Sequence, residues 1–262
     1  MDVIKISGKK EKFDSRKIER TCIKAGASRE FARQVAYEVE KNAYPGISTK
    51  EIYKLTLRFL RKQPELAEKY TLKQAIMQLG PTGFIFEKYV AAILKEYGYE
   101  TRVNVSVKGR CVAHEIDIVA KREKMFMVEC KYHNELGIYT DLKTVMYTYA
   151  RFLDVRKFDQ GWLICNTNCS YQALQYARCN NLKITSWSYP QEDSLEKMIR
   201  LKKLYPITIL KGMSSHVRDH FLNNHIFMVK DLLSFPLEEL QRKTKLPISL
   251  LQRFIIDAKK IV

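Results

Sequence analysis

Asp117, Glu129 and Lys131 are the residues whose types and spacing could do chemistry. The segment His114-Glu115-Ile116-Asp117-Ile118-Val119 alternates polar and apolar residues. In a strand, alternate side chains point to opposite faces, so Glu115 and Asp117 share one face and Ile116 and Ile118 the other. The next segment reads Met125-Phe126-Met127-Val128-Glu129-Cys130-Lys131. Here Glu129 and Lys131 share a face and Cys130 points away. A hairpin between the two segments would gather carboxylates beside one lysine. A hard divalent cation such as Mg²⁺ takes one or two carboxylates, waters and a phosphate oxygen. Such an ion polarises a phosphate and makes water a better nucleophile. A lysine two residues past a carboxylate ligand can orient the attacking water or hold the developing charge. Either strand alone reads as a half-exposed strand with solvent-facing charges. The two together favour a site.

These strands need a scaffold. Within residues 84–190 the pattern predicts a helix from Phe84 to about Tyr97, stopped by Gly98. Strands are predicted at 101–107, 113–120, 125–130, 162–166 and 182–186, with helices at about 141–153 and 170–179. Strands interleaved with helices imply a mixed sheet with covered faces. Residues 1–80 begin with a short alternation, Val3-Ile4-Lys5-Ile6, and a turn at Ser7-Gly8. Helices follow: one capped by Asp14 or Ser15, one marked by Phe31, Val35 and Val39, and one opened by the capping box Ser48-Thr49-Lys50-Glu51. A fourth is predicted from Pro64 to Leu79, ended by Gly80-Pro81-Thr82-Gly83. Residues 195–262 read as short helices joined by tight turns at Lys211-Gly212 and Leu246-Pro247.

The chain has 262 residues, of which 46 are Lys or Arg and 29 Asp or Glu, a formal charge of +17. That excess suits a polyanion, because phosphates condense counterions that basic side chains release. No apolar run approaches the length of a membrane span, and Met1 to Lys12 has no apolar signal region, so a cytoplasmic setting is expected. The six cysteines form no C-x-x-C pair, which speaks against structural zinc and for buried or half-buried thiols. No G-x-x-x-x-G-K-[ST] stretch is present, so a P-loop ATPase is not expected.

The arrangement Asp117…Glu129-Cys130-Lys131 resembles the signature of the restriction-endonuclease-like, or PD-(D/E)xK, nucleases. The stretch Gly83-Phe84-Ile85-Phe86-Glu87-Lys88-Tyr89-Val90, reaching Gly98-Tyr99, resembles the opening helix of Mrr-type restriction endonucleases and archaeal Holliday-junction resolvases. The run Gly161-Trp162-Leu163-Ile164-Cys165-Asn166-Thr167, followed by Ala173 to Ala177, resembles their closing strand-helix unit. The resemblance covers about 100 residues. It implies a catalytic set of Glu87, Asp117, Glu129 and Lys131, with Glu87, Asp117 and Glu129 holding Mg²⁺ or Mn²⁺. Ile116 stands where the signature has proline. The Q-x-x-x-Y helix expected after Lys131 is replaced by a stretch containing Asp141, Lys143, Tyr147, Tyr149 and Arg151. His114 is expected to face away from the carboxylates.

Residues 1–80 resemble the ATP-cone, a nucleotide-binding regulatory module. The match runs through Val3-Ile4-Lys5, Gly8, Phe13-Asp14, Lys17-Ile18, Ile47-Ser48-Thr49, Glu51-Ile52 and Pro64 to Tyr70. It implies that Lys5, Glu11, Asp14, Lys17 and Thr49 contact ATP or dATP as an allosteric ligand. Ile6 stands where the family often has arginine. The turns at 210–214 and 246–250 resemble those of helix-hairpin-helix modules, whose backbone amides hold DNA phosphates. The expected architecture is multidomain, α and α/β. A small, mostly helical ATP-cone (1–82) precedes a restriction-endonuclease-like mixed α/β core (83–192) and a small all-α domain (193–262). The expected activity is metal-dependent DNA cleavage regulated by nucleotide, in restriction, phage defence or DNA repair, by a protein that can form homo-oligomers. The alternative is a non-catalytic, nucleotide-responsive DNA-binding regulator.

Overall fold

The computed structural model of the chain describes residues 1–6 and 8–262; Ser7, in the predicted first turn, lies outside them. Strand β1 (Asp2–Ile4) pairs antiparallel with β2 (Lys10–Lys12), a strand not expected from the sequence. Helices α1 (Ser15–Lys24), α2 (Arg29–Asn42) and α3 (Thr49–Leu60) follow. Each begins where a short polar side chain can take up a free amide. Asp14 accepts from the Arg16 amide at 3.0 Å, and Ser28 from the Phe31 amide at 3.2 Å. At α3 the capping box forms as read: Ser48 accepts from the Glu51 amide, and the Glu51 carboxylate accepts from the Ser48 amide. The predicted fourth helix is two, α4 (Pro64–Tyr70) and α5 (Leu72–Met77), broken at Thr71. Residues Ile18, Cys22, Val35, Val39 and Leu60 fill the core of this unit.

The central sheet has five strands in the order β3-β4-β5-β7-β9. These are β3 (Glu100–Lys108), β4 (Ala113–Lys121), β5 (Met125–Lys131), β7 (Gln160–Cys165) and β9 (Lys183–Thr185). The first three are antiparallel neighbours; β7 and β9 run parallel to β5. A small side pair joins β6 (Tyr139–Thr140) to β8 (Asn168–Cys169). Helix α6 (Gly83–Glu96) covers one face; α7 (Leu142–Val155) and α8 (Tyr171–Cys179) cover the other. The mixed α/β core is therefore the one expected, with strand ends within about two residues of those read from the sequence.

The C-terminal region is helical: α9 (Leu195–Leu201), a 3₁₀ turn at Ile207–Ile209, α10 (Ser215–Asn223), α11 (Val229–Leu233), α12 (Leu237–Thr244) and α13 (Ile248–Ile261). Its apolar residues do not form a core of their own. Phe221, Leu232, Phe254 and Ile261 belong to one continuous cluster with Phe86 and Val90 of α6, Trp162 of β7, and Leu72, Ile76 and Leu79 of the α5 segment. The N-terminal unit is fastened to this tail by charge: buried Glu196 receives Lys24 at 2.6 Å and Arg200 at 3.2 Å. All six cysteines are free; Cys111 and Cys179 are exposed rather than buried or half-buried. Among the described residues no helix is long and apolar enough to cross a membrane.

Candidate active site

The β4–β5 ladder ends at the pair Ile118–Val128, although both strands continue. One step further, the Cys130 amide donates to the Asp117 carboxylate at 2.7 Å instead of to a strand carbonyl. On the other side of β4, Asn104 of β3 faces Asp117 without pairing, and its φ is 52°. Asparagine tolerates that left-handed conformation better than most residues. The sheet is thus distorted on both sides of Asp117. This breaks the strict alternation expected for β4: Ile116 packs with Val119 and Met127, while Ile118 packs with Ala120 and Val128.

Glu87 reaches the same place from α6. Its carboxyl is pushed up to about 7, first by burial and then by the negative charges of Asp117 and Glu115. Glu129 is also pushed up to about 7, by burial and by Asp117, against the pull of Arg151. Burial raises Asp117 too, while the Cys130 amide and Arg151 draw it down. The three expected carboxylates therefore sense one another. Lys131, at the exposed end of β5, lies beside Cys165 of β7 in the register.

The residue that sequence reasoning missed is Arg151. It projects from α7, is 8% exposed, and donates through one terminal nitrogen to the Glu129 carboxylate and through the other to the Glu115 carbonyl. Its Nε is buried without a partner. The Tyr147 ring, one helical turn back, lies 5.4 Å from the guanidinium. A signal was available: Val145, Thr148, Arg151 and Val155 share the buried stripe of α7, and an arginine in such a stripe needs an acceptor.

Among the described residues, no three His, Cys, Asp or Glu side chains stand close enough to hold one ion together. The reason is visible in the hydrogen bonds, since Glu129 is turned toward Arg151 and Asp117 toward the Cys130 amide. Glu87, Asp117 and Glu129 are brought together as a charge cluster rather than as a finished coordination shell. The donor set nevertheless fits a hard divalent cation, which needs only one or two carboxylates besides water and phosphate. His114 turns away as expected and bonds Asp154 at 2.8 Å. Beside it runs an open groove of about 470 Å³ whose lining includes Arg110, Arg156, Tyr147, Arg151 and Asp154.

The raised carboxyls set a pH dependence. Glu87 and Glu129 ordinarily titrate near 4.5, and in the fold near 7. The folded state thus holds these protons more tightly than the unfolded chain. The stability they contribute is complete below 4.5 and is lost as pH rises through 7. Without divalent cation, the melting temperature of Glu87→Gln relative to the parent should therefore climb between pH 5 and 8. A difference that is flat with pH would show that Glu87 is not so perturbed.

In the N-terminal unit, Lys5 and Lys17 both bond Glu11 at 2.5 Å. These two lysines hold the Glu11 carboxyl down to about 2. Asp14 is occupied with the α1 amide and the Arg16 side chain, apart from that cluster. Thr49 opens α3 and lines a separate cavity with Ile6.

Comparison with known proteins accounts for nearly the whole chain. Residues 1–76 match the ATP cone domain, 81–191 a restriction endonuclease domain, and 205–262 the AF1548-like C-terminal domain. An uncharacterized protein of Archaeoglobus fulgidus is 43% identical over 176 residues, covering 66% of this chain and 99% of its own. The crystal structure of AF1548, a protein of unknown function, superposes with a TM-score of 0.62 at 42% identity, covering 69% of this chain and 98% of that one. Can2 from Sulfobacillus thermosulfidooxidans, in complex with cyclic tetra-adenylate, gives a TM-score of 0.36 at 13% identity, over 72% of this chain and 54% of Can2. The chain belongs to the AF1548-like family, with an ATP cone ahead of its restriction-endonuclease domain and its AF1548-like C-terminal domain.

Proposed function

We propose that this protein is a metal-dependent DNA endonuclease whose cutting is set by ATP or dATP at its cone. The observation that supports the reading is the cluster of negative charge that Asp117, Glu129 and Glu87 make where the β4–β5 ladder ends, with Lys131 on the same strand as Glu129. Mg²⁺ or Mn²⁺ held there would supply Lewis-acid stabilisation of a phosphate oxygen and an activated water. Asp117 and Glu129 are the principal ligands and Glu87 the third. Lys131 orients the attacking water and balances the charge that develops on the phosphate. Arg110 and Arg156 seat the neighbouring backbone phosphates. Lys5, Glu11, Asp14, Lys17 and Thr49 belong to the nucleotide site. Functional units at 1–82, 83–192 and 193–262 follow this division of labour. A cytoplasmic setting keeps the six thiols reduced, and a role in restriction, phage defence or DNA repair suits the chemistry.

Plasmid DNA incubated with the full chain and Mg²⁺, with and without ATP or dATP, should be nicked or linearised at a rate that changes with nucleotide. No cutting under any nucleotide would overturn the reading. One observation favours a second reading, a nucleotide-responsive DNA-binding regulator: Arg151 already occupies the Glu129 carboxylate. Gel shifts in EDTA separate the two, since a regulator would bind DNA in a nucleotide-dependent way without ever cutting it.

A further inference from the structure

Between the cone and the nuclease sheet lies a cavity of about 660 Å³, within the roughly 300–1,000 Å³ range of small-molecule sites. One wall is built by the cone: Ile6, Thr49, Lys50 and Tyr53. A second comes from α5 and the residue that follows it, with Gln74 and Gln78. The third is a loop of the nuclease domain, Asn134 to Gly137. Beside the carboxylate of Glu135, the polar part of the lining has the chemistry of a nucleotide site. Lys50 and the Thr49 hydroxyl suit phosphate oxygens. The amides of Gln74, Gln78 and Asn134 each donate and accept, matching the mixed edge of a purine. Tyr53, whose ring stacks on Tyr70 at 5.5 Å, closes the cone side of the cavity.

The loop is also wired to the candidate active site. Only Tyr132 and His133 separate it from Lys131. Tyr132 donates its hydroxyl to the Met77 carbonyl, at the end of α5, at 2.6 Å. His133 is clamped by Asn166, which accepts from its amide at 2.9 Å and donates to its carbonyl at 2.7 Å. Beyond the loop, β6 is tied to β8. The end of the loop faces the cone, where Gly137 has a φ of 89° and a Cβ placed on it would lie 3.6 Å from Ile6.

We propose that Asn134–Gly137 of the nuclease domain forms one wall of a purine-nucleotide site reached from Thr49, the member of the cone's expected nucleotide set that lines this cavity, and that a nucleotide gripped between this loop, α5 and the cone fixes the position of Lys131. This rests on the reading of the chain as a nucleotide-regulated nuclease and supplies its mechanical link. By reciprocity, whatever the nucleotide does to the Lys131 end of β5, metal and DNA bound there do to nucleotide affinity.

ATP binding to the full chain, measured by calorimetry, provides the test. The double variant Asn134→Ala, Leu136→Glu changes only the loop, whose residues are exposed or half-buried. It should weaken ATP binding by at least about tenfold, a loss of roughly 1.4 kcal/mol. Its melting temperature should stay that of the parent, while the effect of ATP on cutting disappears. In the unmodified protein, 8-azido-ATP should crosslink to the peptide carrying Asn134–Gly137, and excess ATP should suppress the crosslink. Parent and variant binding ATP equally, or label confined to residues 1–76, would overturn this inference and leave the nucleotide reading standing. A parent chain that binds neither ATP nor dATP would overturn both.

Discussion

Asp117→Asn and Lys131→Ala are each expected to lower DNA cutting by at least about 10²–10³-fold, the scale on which removal of one preorganised transition-state contact registers. The two substitutions are chosen because both should fold. Asp117→Asn keeps a side-chain oxygen to accept the Cys130 amide, which Asp117 now holds at 2.7 Å. Alanine there would strand that amide at a cost of about 1–3 kcal/mol, mixing lost stability with lost chemistry. Lys131 sits at the exposed end of β5, so its truncation should change stability by no more than about 0.5 kcal/mol. Plasmid cleavage with Mg²⁺, alongside thermal melts, measures both quantities. Full cutting by Lys131→Ala would remove that lysine from the chemistry; full cutting by Asp117→Asn would remove the site.

The largest effect on stability is expected at Arg151. Its guanidinium is buried against Glu129 and the Glu115 carbonyl. Removing one partner of such a buried pair costs up to about 3–5 kcal/mol, less where Glu129, already raised to about 7, takes up a proton instead of keeping its charge. In a protein of this size Arg151→Ala should melt roughly 10 °C lower without divalent cation. The same change frees Glu129, so Mn²⁺ should bind more tightly, and saturating Mn²⁺ should return part of the lost stability by mass action. Arg151→Lys keeps the charge but not the two-pronged donor, and should fall between. Calorimetry with Mn²⁺ and thermal melts read the two effects separately. An unchanged melting temperature would mean that the pair does not hold α7 to the sheet.

The two strands of the site were legible because side-chain alternation and a short hairpin are local matters. Placing Asp117, Glu129 and Lys131 on neighbouring strands needed no knowledge of the rest of the chain. The capping box at Ser48 and the stop at Gly98 were legible for the same reason. Arg151 was not, because its partner lies 22 residues away across a sheet face. The kink at Asp117 was equally hidden: it arises from Asn104 on one neighbouring strand and the Cys130 amide on the other. The division at Gly80–Gly83 was read from turn residues, yet Leu72, Ile76 and Leu79 pack with the sheet's cover and the tail. Turn chemistry marks where the chain bends, not which core a segment joins.

That shared core has an evolutionary consequence. Phe221, Leu232 and Phe254 of the tail belong to the same continuous core as Phe86 and Val90 of α6. A gene that lost the tail would encode a sheet with one oily flank open to water, an aggregation hazard rather than a smaller folded protein. The sheet and tail must therefore be inherited as a single cassette. The cone as far as α4, whose apolar cluster is separate, is the part that recombination could add or remove.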